Sequence, residues 1–579
     1  MLVFGDLERD EDAAAVAAEI KRRLARCDEL GPGLARHQAL VAAFVRASEL
    51  VQGALDAEFH RTGHDTVGPL QDAGIGLLRV LADAMATSWD NGFAGSAPHG
   101  WGEHLGLLSA AGPIRTRQAE GYAFYAVYPE AYLAAARQSL LRPQTTVIGI
   151  RSIGAGLAAL VASALGTTAV YTVRPVGPPF DRRLALSEPL AGRLRAASGP
   201  FAIVDEGPGL SGSSFNCVAD WLVAQGVAED RVHFFPSHGG ALGQAARADH
   251  RQRWAQAHKH VVSFDDLILN AARSEHRLES WIASAIGPLQ AGLRDLSGGR
   301  WRALRDASLS PVAADPGMER RKYLALTHHG SWIGKFVGIG TSGEACLTLG
   351  RRMAGAGFGP NPAGLCHGFL VNPWVEDVRS TGETVPLGRL VDYLAFRASL
   401  RPDRPGATLD QLFAMAAYNI GQLWGEPAER AVREALGDPG RVQSIPCSTD
   451  NRMHAWEWVR SAQGWMKLDA LDHHAAHDLV GCQDIAWDIA GASVELGLDP
   501  NARDALAEAV AARLGRGLRR DSIAAHELCY LGFQLGLWSM ALDRAPDADR
   551  DSIRQLLRRY GAHPSLQAIL AEGIITYVK

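Results

Sequence analysis

An acidic pair followed by a glycine- and serine-rich stretch is the strongest chemical pattern in this chain. The apolar run 201–204 leads into Asp205 and Glu206, and residues 207–214 contain three glycines and three serines. Backbone N–H groups of such a loop, backed by a helix N-terminus, bind a phosphate, and the two carboxylates can accept hydrogen bonds from ribose hydroxyls. The pattern predicts a ribose-phosphate site with Asp205 and Glu206 at its centre. The predicted ligand-binding residues of this loop are Gly207, Gly209, Ser211, Gly212, Ser213 and Ser214.

A second glycine loop lies upstream, again between an apolar run and a helical pattern. It contains Arg151, Ser152 and Gly154. Loops that follow successive strands of a parallel sheet face the same edge, which is where open α/β folds bind ligands. We therefore expect Ser152 and Gly154 to help bind the ligand. Arg151 and Arg174 are candidates to neutralise a leaving pyrophosphate, although a solvated basic loop is the alternative for either one.

Together the two loops resemble the type I phosphoribosyltransferase family, over roughly residues 145–240. Residues 120–125 and Arg174-Pro175 are similar to the members found in bacterial tellurium-resistance clusters. The resemblance implies that a small-molecule acceptor displaces pyrophosphate from phosphoribosyl pyrophosphate with the help of Mg²⁺, or that a ribonucleotide is the substrate. It also implies catalytic roles for Asp205 and Glu206. One departure is that Gly212 lies one residue further from the acidic pair than is usual in the family.

A second set of charged residues lies downstream. Lys335 interrupts an apolar strand pattern, which is costly unless its ammonium group meets an anion, and Glu344 is a candidate partner at the start of the next helix. Asp450 and Asp469 lie about twenty residues apart, and the second ends an apolar run. Two such carboxylates suit a phosphotransferase, in which one orients the acceptor hydroxyl and the other holds Mg²⁺ on the nucleotide.

This order of residues resembles the aminoglycoside-phosphotransferase branch of the protein-kinase-like fold, over roughly residues 320–495. The resemblance implies ATP as cofactor, Lys335 and Glu344 as nucleotide-binding residues and Asp450 as the catalytic residue. Asp469 would then be a metal ligand, with Asn451 nearby as a second. Two departures weaken the match: Ser448-Thr449 precedes Asp450 where the family has His-Gly, and Ala455 stands where a metal-binding Asn is expected. The lobe is therefore either a kinase or a pseudokinase.

The elements that must position these residues form two modules. Short apolar strands alternate with helices from 145 to 240, which indicates a parallel, covered sheet. After 317 a hairpin, a helix and a further strand precede long helical stretches, which is an α+β pattern. We predict an α/β phosphoribosyltransferase-like domain with a helical preface at 1–297, and an α+β kinase-like domain at 318–579. The Gly- and Pro-containing stretch from Gly298 to Gly317 is the expected boundary.

Composition narrows the class of protein. The 579 residues carry a formal net charge of -5, which argues against a nucleic-acid partner. The seven cysteines include no CxxC pair, which favours reduced thiols over disulfides or a zinc site. The chain contains no stretch that looks like a signal peptide or membrane span, so we expect a soluble cytoplasmic protein without a membrane partner.

Three functions remain open at this point. The favoured one is a two-domain transferase that moves a phosphoribosyl group and carries an ATP-dependent small-molecule kinase-like lobe. The second is a regulatory protein that senses a ribose phosphate without turnover and has a pseudokinase lobe. The third makes both lobes scaffolds for a partner, but two independently assembled phosphate sites argue against it.

Overall fold

The computed structural model of the protein describes residues 7–304, 312–380, 383–402 and 404–577, with side chains as far as residue 571. The strands are β1 (Glu8–Asp12), β2 (Pro113–Arg117), β3 (Thr146–Ile150), β4 (Val170–Val173), β5 (Phe201–Val204), β6 (Val232–Phe235), β7 (His258–Lys259), β8 (Arg294–Asp295), β9 (Lys322–Thr327), β10 (Gly330–Phe336), β11 (Gly364–Cys366), β12 (Phe369–Pro373), β13 (Pro446–Cys447), β14 (Trp458–Ser461), β15 (Gly464–Lys467) and β16 (Gln483–Asp484).

The α-helices follow the same chain order. They are α1 (Ala13–Glu29), α2 (Leu34–Thr62), α3 (Pro69–Asp90), α4 (Gly102–Ser109), α5 (Glu120–Ala123), α6 (Pro129–Gln138), α7 (Gly154–Leu165), α8 (Glu188–Ala196), α9 (Ser213–Ala224), α10 (Ala248–Gln256), α11 (Leu278–Ile286), α12 (Thr341–Gly355), α13 (Leu387–Ala398), α14 (Leu409–Trp424), α15 (Glu426–Leu436), α16 (Ala486–Leu496), α17 (Pro500–Leu514), α18 (Arg520–Arg544), α19 (Asp547–Gly561) and α20 (Pro564–Tyr577).

A parallel sheet forms the centre of the first module, in the strand order β4-β3-β5-β6-β7. The central strands β3 and β5 are buried along their whole length because helices cover both faces. Val147 and Ala202 pack with helices α2, α3, α6 and α7, while Ile148 and Ile203 pack with α8 and α9. The predicted parallel sheet is confirmed, and the loops after β3 and β5 open at the same edge of it.

An antiparallel sheet in the order β11-β12-β10-β9-β8 begins the second module. The predicted hairpin is β9–β10, closed by a turn between Thr327 and Gly330. Lys335 lies opposite Lys322 in this register and opposite Leu370 on β12. The long helices α13 to α20 pack beyond the sheet around two further apolar clusters. The α+β prediction for this half of the chain is therefore confirmed.

One apolar core runs through both modules. It contains Phe44 of α2 and Val147 of β3, and also Trp281 of α11, Phe336 of β10 and Phe369 of β12. The antiparallel sheet thus packs directly against the helical layer of the first module. Part of the predicted boundary, residues 305–311, lies outside the described residues.

The sequence pattern of residues 121–128 predicts a strand, and this prediction is wrong. Residues 121–128 have an aromatic, alternating pattern, but Glu120–Ala123 forms the short helix α5 and a loop follows it. The pattern misled because Tyr122, Phe124 and Tyr128 are buried by neighbouring helices and by the second module, and not by a sheet, while Tyr125 is exposed. Tyr122 and Tyr128, for example, both belong to the shared core.

Two class predictions concern the whole chain. Among the helices of the described residues, none is long and apolar enough to span a membrane. All seven cysteines are buried free thiols.

Candidate functional sites

The loop after β5 turns at two glycines before helix α9 begins. Gly209 and Gly212 both have positive φ values, 60° and 59°, which favour glycine. The Gly212 amide donates to the Pro208 carbonyl (3.1 Å), and α9 begins at the next residue. The Ser211 and Ser213 hydroxyls lie 2.9 Å apart. Ser214 lies in the first turn of α9, and Gly207 opens the loop beside Gly209.

The loop after β3 touches this loop directly. A Cβ atom on Gly154 would lie 2.5 Å from the Val204 carbonyl oxygen, so only glycine allows the two loops to approach this closely. Ser152 precedes it and is half-buried. The residues predicted from the two glycine loops are therefore neighbours at one sheet edge, as expected for loops after adjacent parallel strands.

The acidic pair is already partly engaged within the protein. The Glu206 carboxylate accepts a hydrogen bond from the Gly121 amide of α5 (3.0 Å). Asp205 Oδ1 accepts from the Glu206 amide (2.8 Å), and the Tyr132 hydroxyl donates to the Asp205 carbonyl (2.8 Å). Burial raises the pKa of Asp205 to about 7. A ribose that uses Glu206 must therefore compete with the Gly121 amide.

Contrary to the prediction, Arg151 does not face the ligand loop. Its side chain is buried, and Nε donates to Asp56 Oδ1 (2.7 Å) while NH1 donates to the Thr172 hydroxyl (3.1 Å). It also forms an ion pair with Asp65. The physical reason is compensation: the two aspartates are themselves buried, and each needs a cation.

Arg174 is held by the same two aspartates. Its amide donates to Asp65 (2.6 Å) and its Nε to Asp56 (2.9 Å). Arg174 and Arg182 nevertheless lie near enough to Asp205 to oppose the rise of its pKa that burial causes. In this structure, Arg151 and Arg174 therefore bind buried aspartates and do not serve the predicted role of neutralising pyrophosphate.

A cavity of about 690 Å³ separates the antiparallel sheet from the helical lobe. Its volume lies in the range of small-molecule and cofactor sites. Apolar side chains from both sides line it, and charged side chains cluster at one part of its wall. The apolar lining includes Leu324, Ile333, Val337, Leu370, Trp456 and Leu468. The charged lining includes Lys322, Lys335, Arg452, Glu457 and Asp469.

Lys335 binds acidic residues, but not the predicted one. Its Nζ lies 3.1 Å from Asp472 Oδ1 and also pairs with Asp469. Burial opposes its charge, yet these two carboxylates raise the pKa of Lys335 above its ordinary value. The predicted pairing with Glu344 is wrong, because Glu344 in the first turn of α12 faces α1 and binds Arg23 at 3.0 Å.

Asp450 is fully buried. Its Oδ1 lies 3.0 Å from His473 Nδ1, and its Oδ2 accepts from the Tyr393 hydroxyl (2.6 Å) and lies 3.0 Å from Lys467 Nζ. Burial opposes ionisation, but Lys467 and His473 lower the pKa of Asp450 below its usual range. The backbone amide of Asp450 donates to Asp488 (2.7 Å). An acceptor hydroxyl cannot reach Asp450 in this conformation.

Of the two predicted metal ligands, Asp469 lies beside other potential ligands and Asn451 is engaged in hydrogen bonds within the protein. The Asn451 side-chain amide donates to the Gly481 carbonyl (2.8 Å) and its oxygen accepts from Thr449 (2.9 Å), so it is occupied. Asp469 instead lies with Glu457 and His473, and one ligand atom from each falls within 4.8 Å of the others. Sequence reasoning missed Glu457, because it lies in a short 3-10 helix with no motif around it.

Comparisons with known proteins give limited information. No protein-family model and no curated protein matches the chain. Among solved structures it is similar to the choline kinase LicA from Streptococcus pneumoniae, with 14% identity over 46% of this chain and 97% of that chain and a TM-score of 0.31. A putative aminoglycoside phosphotransferase from Ralstonia eutropha gives 11% identity over 51% and 97% of the two chains, with a TM-score of 0.34.

Spectinomycin phosphotransferase, solved with ADP and spectinomycin, gives 11% identity over 49% of this chain and 94% of that chain, with a TM-score of 0.33. At such low scores the likeness assigns no function by itself. The matched proteins named here are kinases or phosphotransferases, and the comparisons give no support to the predicted phosphoribosyl transfer.

Proposed function

We propose that the cavity between the antiparallel sheet and the helical lobe binds ATP, and that the protein is a phosphotransferase for a small molecule. The observation that carries this proposal is the distribution of groups around the cavity. Apolar side chains from the sheet and the lobe offer a slot for a flat base, and Lys322, Lys335 and Arg452 would each exchange an acidic partner for a phosphate oxygen.

A divalent cation fits the same wall. Asp469 and Glu457 supply carboxylate oxygens, the ligands that Mg²⁺ prefers, and His473 lies beside them. When bound, Mg²⁺ would neutralise the charge of the nucleotide phosphates. Asp469 would have to exchange its contact with Lys335 for the ion, and Glu457 its 2.7 Å contact with Lys467 Nζ. Lys335 would keep its contact with Asp472 at 3.1 Å and could still donate to a phosphate oxygen, because an ammonium group has three donors.

Calorimetric titration with ATP and Mg²⁺ tests the binding step. In Lys335→Met the dissociation constant should rise by about 10–100-fold, because one hydrogen bond to a charged group is worth about 1.5–3 kcal/mol. Lys21→Met, which removes an exposed lysine of α1, is the matched control and should bind like the wild type. A wild-type protein that takes up no ATP at millimolar concentration would contradict the proposal.

The burial of Asp450 favours a variant of this function, in which ATP binds without transfer and regulates the rest of the chain. ADP formation measured with a panel of alcohols and amines separates the two. In a phosphotransferase, Asp450→Asn should abolish ADP formation and leave ATP bound. ATP binding by the wild type without ADP formation from any acceptor in the panel would favour the regulatory variant.

A ribose phosphate at the first sheet edge is the second candidate ligand. The adjoining loops that contain Gly154 and Gly212, with Asp205 and Glu206 beside them, support it. Because the two arginines expected at pyrophosphate are bound to aspartates, we favour binding of ribose 5-phosphate over pyrophosphate displacement. Calorimetry should show ribose 5-phosphate binding that an Asp205→Asn, Glu206→Gln double variant loses, and pyrophosphate release with any nucleobase would instead restore the transferase.

A further inference from the structure

A buried cluster of two histidines and a glutamate lies away from both candidate sites. Glu130 Oε1 lies 2.8 Å from His37 Nε2 and 3.0 Å from His367 Nε2, and the three side chains are 0% exposed. His37 comes from α2, Glu130 from the first turn of α6, and His367 from the turn between β11 and β12. Three potential ligand atoms from three separate elements therefore converge on one point.

The polar atoms of this cluster are not all satisfied by the protein. Among the described residues, Glu130 Oε2 and His367 Nδ1 have no hydrogen-bond partner, and neither does the neighbouring Tyr122 hydroxyl. Rings of Trp89, Phe93, Tyr128 and Trp281 pack against the two imidazoles. A carboxylate in such apolar surroundings needs a compensating cation.

We propose that His37, Glu130 and His367 bind a divalent transition-metal ion of the zinc type. Two imidazoles and one carboxylate are a known zinc-binding set, with metal–ligand distances of about 2.0–2.2 Å. A tetrahedral site with these distances has its ligand atoms about 3.3 Å apart. The two separations from Glu130 Oε1, 2.8 and 3.0 Å, need to widen by only a few tenths of an ångström, and the ligand atoms of the two histidines lie within 4.8 Å of each other. Glu130 Oε2, which lacks a partner, can fill a further position.

The surroundings fix the ring of His37 and the backbone of His367. The Ser88 hydroxyl lies 3.0 Å from His37 Nδ1, the nitrogen that faces away from the cluster. The backbone of His367 is fixed on both sides: its amide donates to the Gln38 side chain (2.8 Å), and its carbonyl accepts from the Tyr128 hydroxyl (2.6 Å).

The ion would be structural, because the site is closed to solvent. It would connect α2 and α6 of the first module to the antiparallel sheet of the second, inside the core that both share. The alternative occupant is a proton, with one imidazolium ion neutralising Glu130. That arrangement would tie the same elements together without any metal.

The test uses the full chain, refolded in the presence of Zn²⁺ and then dialysed against metal-free buffer. Elemental analysis should find about one zinc per chain in the wild type, and none in His367→Gln or His37→Gln. His276→Gln is the matched control, because this buried histidine stacks on Trp89 but offers no ligand to the cluster, and it should retain zinc. Loading with Co²⁺ should give the visible absorption of a tetrahedral site in the same variants that hold zinc.

A further variant covers the case in which the ligand variants fail to fold. Ser88→Ala removes only the hydroxyl that orients His37, and should weaken zinc affinity by about 10–100-fold in a chelator competition while circular dichroism stays unchanged. Metal-free wild-type protein after refolding with either ion would overturn the proposal and leave the proton-linked cluster. So would equal zinc retention in the wild type and in a folded His367→Gln variant.

Discussion

Replacing Arg151 gives the most direct test of the function of the first sheet edge. Replacing it with methionine keeps a long apolar stem but removes the cation that Asp56 and Asp65 share. If its role is to hold these aspartates, Arg151→Met should destabilise the first module. If its role is to bind a leaving pyrophosphate, the same change should weaken ligand chemistry and leave stability nearly intact.

The expected loss of stability follows from burial. Removing one partner of a buried ion pair costs about 3–5 kcal/mol, since an uncompensated charge remains. Asp56 keeps Arg174, and Asp65 keeps the amide of Arg174, so we expect the lower end, about 3 kcal/mol. Arg183→Met is the control: its pairing with Asp181 is exposed, and such pairs contribute about 0–1 kcal/mol.

The pH dependence of the loss identifies its cause. Burial already raises the pKa of Asp65 with Arg151 present, and losing that cation should raise it further. A carboxyl whose folded pKa lies above its unfolded value loses stability as pH rises from about 4 towards the folded pKa. The penalty of Arg151→Met should therefore be smaller at pH 5 than at pH 8.

Urea unfolding followed by circular dichroism measures the penalty, and titrations with ribose 5-phosphate and with phosphoribosyl pyrophosphate measure the ligand site in the same samples. Adding Asp65→Asn to Arg151→Met should recover much of the lost stability, because it removes the uncompensated charge. A variant that unfolds like the wild type but no longer binds phosphoribosyl pyrophosphate would refute this reasoning and return Arg151 to the ligand.

Two further predictions concern the same sheet edge. Gly154→Ala should destabilise the first module by about 1–3 kcal/mol in urea unfolding, because the added methyl group would meet the Val204 carbonyl. Gly192→Ala in α8 is the control. Its added methyl group meets nothing within 4 Å among the described residues, so this change should stabilise the protein by about 0.5–1 kcal/mol. Burial raises the pKa of Asp205 to about 7, so its ionisation disfavours the folded state and the wild type should lose stability between about pH 4 and 7. Asp205→Asn should remove this loss. An unchanged dependence of stability on pH in the variant would contradict the prediction.

Local patterns in the sequence were sufficient to predict the parallel sheet and the hairpin. The strand over residues 201–204 and the turn that ends at Gly212 depend on apolar runs and glycine conformations, which nearby residues specify. Residues 121–128 were misread because their alternation arises from contacts with distant helices. Burial by such tertiary contacts is not tied to the sequence period of a strand or a helix.

Charge pairing was the part that the sequence could not specify. Lys335 was expected to meet Glu344, nine residues away, but it meets Asp469 and Asp472. A buried lysine indicates a nearby anion. Several carboxylates compete for that role, and only the tertiary structure determines which of them pairs with the lysine. The same holds for Arg151, whose aspartates lie on α2 and the loop beyond it.

The two candidate sites share a structural segment, the short stretch around α5. At one end its Gly121 amide binds the Glu206 carboxylate (3.0 Å). At the other end its Phe124 carbonyl accepts from Arg320 NH1 (2.8 Å), and Arg320 lies 3.4 Å from Asp472, the partner of Lys335. A ribose that takes Glu206 from Gly121 removes one of the contacts that position α5. Any resulting influence on ATP affinity must be matched by an equal influence of ATP on ribose affinity, because linkage between two binding sites is reciprocal.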